Sequence, residues 1–68
     1  MNFSTKLKEL RNEKGLTLKS VAMELSIPLT TYANYEQGTR EPSIAMIIAL
    51  CNFYDVSADY LIGRSDNY

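Results

Sequence analysis

The fold is decided by residues 17–38, which read TLKSVAMELSIPLTTYANYEQG. Thr17 is a good N-cap, and the apolar residues after it recur at the i, i+3, i+4, i+7 spacing of one helical face. Ser20 stands where a capping box needs Glu or Gln, so we expect the box to be incomplete. The next three residues allow only a tight turn, and Pro28 suits the first position of a second helix that ends at Gly38. Two helices joined by so short a turn cross steeply, so the second should be prominent on the surface.

This second helix has two chemically different faces. Tyr32, Tyr35 and Glu36 share one side, where we expect the two tyrosines to pack against the core. Small polar residues, including Thr30 and Asn34, lie on the other side. From periodicity alone, the same pattern also fits a plain helical bundle without a nucleic-acid partner.

The flanking segments predict three more helices. From Phe3 to Lys14, apolar residues recur at i, i+4, i+7, and Gly15 then ends the helix. Ser43 caps a strongly apolar helix that reaches about Phe53, and Asp55 can adopt the left-handed conformation that closes it.

Ser57 caps a last short helix over 58–62, which Gly63 closes. The sequence therefore predicts an all-α fold, a five-helix bundle. Residues 1–63 should form one domain and residues 64–68 a C-terminal tail.

Composition excludes several classes of protein. The 68 residues contain no histidine, no Gly-rich phosphate loop and no cluster of metal ligands, so we expect no enzyme, cofactor, metal site or small-molecule ligand. No segment has the roughly 20 apolar residues of a membrane span, and no signal peptide is recognisable. With Cys51 as the single cysteine, the cytoplasm is the expected compartment. Seven basic against eight acidic residues argue mildly against a nucleic-acid binder, although the placement of charge matters more than its sum.

The chain resembles the Cro/repressor type of helix-turn-helix domain, the XRE family of lambdoid phage repressors and short bacterial regulators. The resemblance covers residues 3–64, and the motifs that carry it stand in the family's order and spacing. They are LKELR (7–11), EKGLT (13–17), VA (21–22), LSI (25–27), YEQG (35–38), EPS (41–43) and VSADYLIG (56–63). The resemblance implies a lambda repressor-like domain that binds a palindromic double-stranded DNA operator as a dimer and regulates transcription, in the first place as a repressor.

The resemblance also implies roles for individual residues. Arg11 and Glu36 match a structural ion pair that joins the first helix to the end of the recognition helix. Leu29, Thr30 and Asn34 match positions that read base edges, and the Asn34 amide could pair with adenine. Leu29 departs from the Gln, Arg or Lys common there, so it either packs on thymine methyls or contributes little.

Contacts to the DNA backbone should come from the start of the second helix and the loop after the third. Leu18 replaces a Gln often found there, so one side-chain contact should be lost. The predicted backbone contacts are Thr17, Leu18, Lys19, Thr31, Thr39 and Arg40, with Lys14 as a further candidate.

Residues 44–51 are eight apolar residues without a break, so the fourth helix has almost no polar face to show water. We therefore expect a homodimer through the fourth helix, the fifth helix and the tail. Its candidate contacts are Met46, Tyr54, Tyr60 and Leu61. The acidic balance and the leucines on the supposed DNA face leave one alternative open, a protein-interaction module whose partner is an antirepressor or a toxin. Cys51 should be a buried small hydrophobe.

Overall fold

The computed structural model describes residues 3–62, and its five helices confirm the all-α prediction; those residues contain no strand. Gly63 and the predicted tail over 64–68 lie outside the described residues. Each helix end falls within one residue of the sequence prediction. The helices are Phe3–Glu13 (α1), Leu18–Leu25 (α2), Leu29–Gln37 (α3), Ile44–Tyr54 (α4) and Ala58–Leu61 (α5).

Hydroxyl side chains begin three of the five helices. Thr17, Ser43 and Ser57 each accept a hydrogen bond from the backbone N–H three residues later, which satisfies one otherwise free donor. The prediction of an incomplete capping box was wrong. The Ser20 hydroxyl accepts from the Thr17 N–H at 3.1 Å while the Thr17 hydroxyl accepts from the Ser20 N–H at 3.0 Å. A serine hydroxyl therefore replaces the longer Glu or Gln side chain.

The turn between α2 and α3 differs by one position from the prediction. Pro28 is the N-cap rather than the first helical residue, because its backbone is extended (φ −61°, ψ 146°) and its carbonyl accepts from the Tyr32 N–H at 3.2 Å. Ser26 closes α2 in the left-handed conformation with φ 58°. Gly38 (φ 79°) and Asp55 (φ 56°) close α3 and α4 in the same way, as predicted.

The core forms where α3 packs against α1 and α2, and where α5 packs against α1 and α4. The largest fully buried side chains are Tyr32, Tyr54, Leu7, Leu50, Leu61 and Val21. Cys51 is buried as expected, and burial raises the pKa of its thiol. Within the described part of the chain, no helix has the length and apolar character needed to cross a bilayer.

Burial contradicts three of the four predicted dimer contacts. Tyr54 is 2% exposed, Tyr60 7% and Leu61 0%, so all three belong to the core of the single chain. Tyr60 in addition lies beneath the Lys6 ammonium, with Nζ 3.9 Å from the ring centroid, which ties α5 to α1. The fourth candidate, Met46, is half-buried.

The apolar surface that remains exposed on α4 belongs to other residues. Ile44 is 78% and Ile48 56% exposed, and their i, i+4 spacing places both on one face. The prediction of an exposed apolar patch on α4 is therefore right about the helix, but the exposed residues are Ile44 and Ile48 rather than the predicted ones.

Candidate nucleic-acid interface

Helix α3 has one face in the core and one face toward solvent. Tyr32 and Tyr35 are 0% and 5% exposed, and their rings pack edge to face with centroids 6.4 Å apart. On the outer side, Leu29 is 45% exposed and Thr30 is exposed. Aromatic packing behind the helix therefore holds short polar and apolar side chains outward, a shape that fits the major groove of a duplex.

Two further predicted contacts on α3 are less accessible than Thr30. Thr31 and Asn34 are half-buried. The Asn34 carbonyl accepts from the Thr39 N–H at 3.1 Å, which folds the following loop back over the last turn of the helix. The Asn34 amide group forms no hydrogen bond with the described residues, so its donors and its acceptor remain available.

The predicted ion pair between α1 and the end of α3 is present. Arg11 Nε lies 2.8 Å from Glu36 Oε2, and the two side chains are only 14% and 4% exposed. Arg11 also donates through Nη1 to the Leu16 carbonyl at 2.9 Å. The hydrogen bond to Glu36 is the main cause that raises the pKa of Arg11. One guanidinium therefore connects α1, the loop before α2 and the last turn of α3.

A second buried contact connects α3 to α4. The hydroxyl oxygens of Tyr32 and Tyr54 lie 2.6 Å apart. Burial raises the pKa of Tyr32, and hydrogen bonds with Tyr54 and Glu36 raise it further. Burial also raises the pKa of Tyr54, to about 12. Sequence reasoning missed this pair, although a buried tyrosine hydroxyl generally needs a partner.

The N-terminus of α2 presents free backbone donors. The capping box uses the amides of Thr17 and Ser20. The amides of Leu18 and Lys19, in the first turn, have no acceptor among residues 3–62. These two N–H groups and the positive end of the helix dipole suit an anion such as a phosphate. Lys19 is exposed and Leu18 half-buried.

The remaining predicted backbone contacts lie on loops. Thr39 and Arg40, directly after α3, are exposed, and so is Lys14 at the end of α1. All three have solvent-accessible side chains.

A cleft with a volume of about 190 Å³ lies between α1, the start of α2 and α3, and it brings α1 into the candidate interface. Lys14, Thr39 and Arg40 do not line it. Its walls are Lys8 and Arg11 from α1, Leu18 from α2, and Ala33, Glu36 and Gln37 from α3. Sequence reasoning did not assign Lys8 to the interface. The signal was its i, i+3 spacing from Arg11, which places both side chains on one face of α1.

Comparison with known proteins agrees with this geometry. The helix-turn-helix family model matches residues 7–61. The HTH-type transcriptional regulator ImmR of Bacillus subtilis is 38% identical over 97% of this chain and 52% of its own length. YqaE of the same organism, an uncharacterized HTH-type transcriptional regulator, is 42% identical over 96% of this chain and 56% of its own.

A third relative is a phage protein. The cryptic phage CTXphi transcriptional repressor RstR of Vibrio cholerae is 34% identical over 94% of this chain and 58% of its own length. The chain thus spans about half the length of the curated relatives it matches. The match extends from α1 to α5 and includes the turn between α2 and α3. The chain therefore belongs to the helix-turn-helix family of the XRE type.

Proposed function

We propose that this chain is a sequence-specific double-stranded DNA-binding transcriptional regulator, in the first place a repressor, which acts in the cytoplasm by binding rather than by catalysis. The observation that carries the proposal is the outward face of α3, with Thr30 and Leu29 exposed while Tyr32 and Tyr35 are buried behind them. The regulatory role is supported by the relatives, which are named as transcriptional regulators and include a repressor.

Base reading is assigned to Leu29, Thr30 and Asn34. Asn can pair bidentately with the N6 and N7 edge of adenine, and Thr can donate a hydrogen bond or contact a thymine methyl. Leu29, exposed at the start of the helix, can only contact apolar groups, so its preference is for thymine methyls. Backbone contacts are assigned to the first turn of α2 and to the loop after α3, where Lys19, Thr39 and Arg40 are exposed.

The direct test is selection of bound duplexes from a random pool, followed by measurements on the selected operator. Thr30→Ala and Asn34→Ala should each cost about 1–3 kcal/mol of binding free energy at one or two base positions. Thr5→Ala and Asn12→Ala are matched controls, because both residues are exposed on α1. Equal losses on every sequence, or no selected sequence at all, would refute direct readout.

We further propose that the operator is palindromic and that the chain binds it as a homodimer through the exposed Ile44 and Ile48 face of α4. Two-fold symmetry would place the recognition helices about 34 Å apart, which is one turn of DNA. An exposed pair of isoleucines on one face of a helix supports a protein partner for that face.

Sedimentation of Ile48→Lys tests this dimer. The variant should be a monomer at concentrations where the unmodified protein is a dimer, and it should bind the full operator more weakly. Met23→Lys is the matched control, because Met23 is 69% exposed on α2. An unmodified protein that remains monomeric at tens of micromolar would refute the dimer and leave the DNA-binding proposal standing.

A protein-interaction module remains the second candidate, with an antirepressor or a toxin as its partner. It is favoured by the net charge of −1 and by the two leucines, Leu18 and Leu29, on the proposed DNA side. Binding to a random duplex at low salt separates the candidates, because a DNA-binding domain retains sequence-independent affinity for phosphates.

A further inference from the structure

We propose that Lys8 of α1 binds a backbone phosphate of the duplex, in the cleft between the start of α2 and the outer face of α3. This inference rests on the proposed function and adds a contact that the helix-turn-helix segment itself does not contain.

The position of the cleft carries the inference. Lys8 lines it together with Leu18, the first residue of α2, and with Ala33 and Gln37 of α3. If α3 enters the major groove while the N-terminus of α2 meets the sugar–phosphate backbone, the strand at the edge of the groove passes over this cleft. A phosphate there lies between the free Leu18 amide and the Lys8 ammonium.

Among the residues that line the cleft, Lys8 is the cation whose charge is not neutralised by a partner within residues 3–62. Arg11 also lines it, but its guanidinium is paired with Glu36 at 2.8 Å, so these two charges cancel. Lys8 is exposed and has no ion pair or hydrogen bond with residues 3–62. Its long, flexible stem and compact ammonium suit a phosphate, which accepts hydrogen bonds from many directions.

Leu18 explains why an additional contact is needed here. Its side chain has no hydrogen-bond donor, so within the cleft α2 offers a phosphate only the backbone N–H of Leu18, since Lys19 does not line the cleft. Lys8 supplies a side-chain donor from a neighbouring helix instead. The absence of a polar side chain at Leu18 and the presence of a cation at Lys8 are therefore two parts of one site.

The test measures affinity against salt concentration for the unmodified protein, Lys8→Gln and Lys8→Arg, on the selected operator and on a random duplex. Each phosphate contact contributes about 0.9 to the slope of log K against log salt. Lys8→Gln should therefore lower the slope by about 0.9 per bound subunit, and affinity at 0.1 M salt by roughly eightfold per subunit. The loss should be equal on both duplexes, and Lys8→Arg should retain the slope.

Lys6→Gln is the matched control, because it removes the same charge two residues away on a side chain that lies over Tyr60. An unchanged slope in Lys8→Gln, or a change equal to that in Lys6→Gln, overturns this inference while DNA binding by the unmodified protein upholds the proposed function. Failure of the unmodified protein to bind any duplex overturns both. Thermal unfolding of each variant confirms that the fold is retained.

Discussion

Replacing Arg11 by Met should be among the most damaging changes that leave the apolar core intact. The substitution keeps most of the side-chain length but removes the hydrogen bonds to Glu36 and to the Leu16 carbonyl. Glu36, only 4% exposed, is then a buried carboxylate without its cation. The expected effect is loss of folding stability, since α1, the loop before α2 and α3 all meet at this guanidinium.

The magnitude follows from these two contacts. Removing one partner of a buried ion pair typically costs about 3–5 kcal/mol, and the lost bond to a backbone carbonyl adds about 1 kcal/mol. We expect about 4–6 kcal/mol in total, against a folding free energy on the order of 3–10 kcal/mol for a domain of this size. Glu36→Gln should cost only about 2 kcal/mol, because its amide oxygen still accepts from Arg11.

Urea unfolding followed by circular dichroism measures these costs. With a slope of about 1 kcal/mol per M, the Arg11→Met midpoint should fall by roughly 4–6 M, or the variant should be unfolded without urea. The Arg11→Met, Glu36→Gln double variant should lose less free energy of unfolding than the two single variants together, because it leaves no buried carboxylate. Glu24→Gln, an exposed change on α2, is the control and should stay within about 0.5 kcal/mol.

A cost below about 1 kcal/mol for Arg11→Met, with additive effects in the double variant, would refute this reasoning. The pair would then behave as a solvent-screened surface contact. The low exposed fractions of the two side chains, 14% and 4%, would then not indicate a strong interaction between their charges.

Three further predictions concern stability. Tyr54 has a pKa raised to about 12, and that of Tyr32 is also raised, whereas an unfolded tyrosine titrates near 10. The contribution of these two tyrosines to the free energy of unfolding is therefore fully present below about pH 10, and it falls between pH 10 and about 12 by roughly 1.4 kcal/mol per pH unit for each tyrosine. The urea midpoint of Tyr54→Phe should fall less steeply over this range, and a fall identical to that of the unmodified protein contradicts the pairing. Gly38→Ala should cost more than Gly15→Ala in thermal unfolding: both have positive φ, but only at Gly38 does an added Cβ meet a side chain, Ser4 Oγ at 3.3 Å. Ser20→Ala breaks the capping box and should cost about 1 kcal/mol by urea unfolding, with an unchanged midpoint as the contrary result.

The elements that sequence predicted well are those set by local chemistry. Thr17, Gly38 and Asp55 fix the ends of α2, α3 and α4 by side-chain capping or by left-handed backbone conformations, and each signal lies within a few residues of its effect. The inward tyrosines of α3 were predictable for the same reason, because helical spacing alone separates Tyr32 and Tyr35 from Thr30.

The contacts that sequence missed depend on tertiary packing. Tyr32 and Tyr54 are 22 residues apart, and nothing local pairs their hydroxyls. Residues 44–51 are apolar on every side, so periodicity cannot tell which side faces the core. The predicted dimer contacts Tyr54, Tyr60 and Leu61 instead lie in the core of the single chain, in which α5 packs against α1 and α4.

The distribution of charge reconciles an acidic composition with a DNA-binding surface. The Arg11–Glu36 pair is neutral as a unit, so the net charge of −1 comes from the other six basic and seven acidic residues, and what matters for binding is where those charges lie. Lys8, which lines the cleft together with Leu18, and Lys19, in the first turn of α2, are both exposed. A phosphate responds to charges within roughly 10 Å at 0.1 M salt, and more distant ones are screened. The free cations beside the first turn of α2 therefore matter more for binding than the sum over the chain.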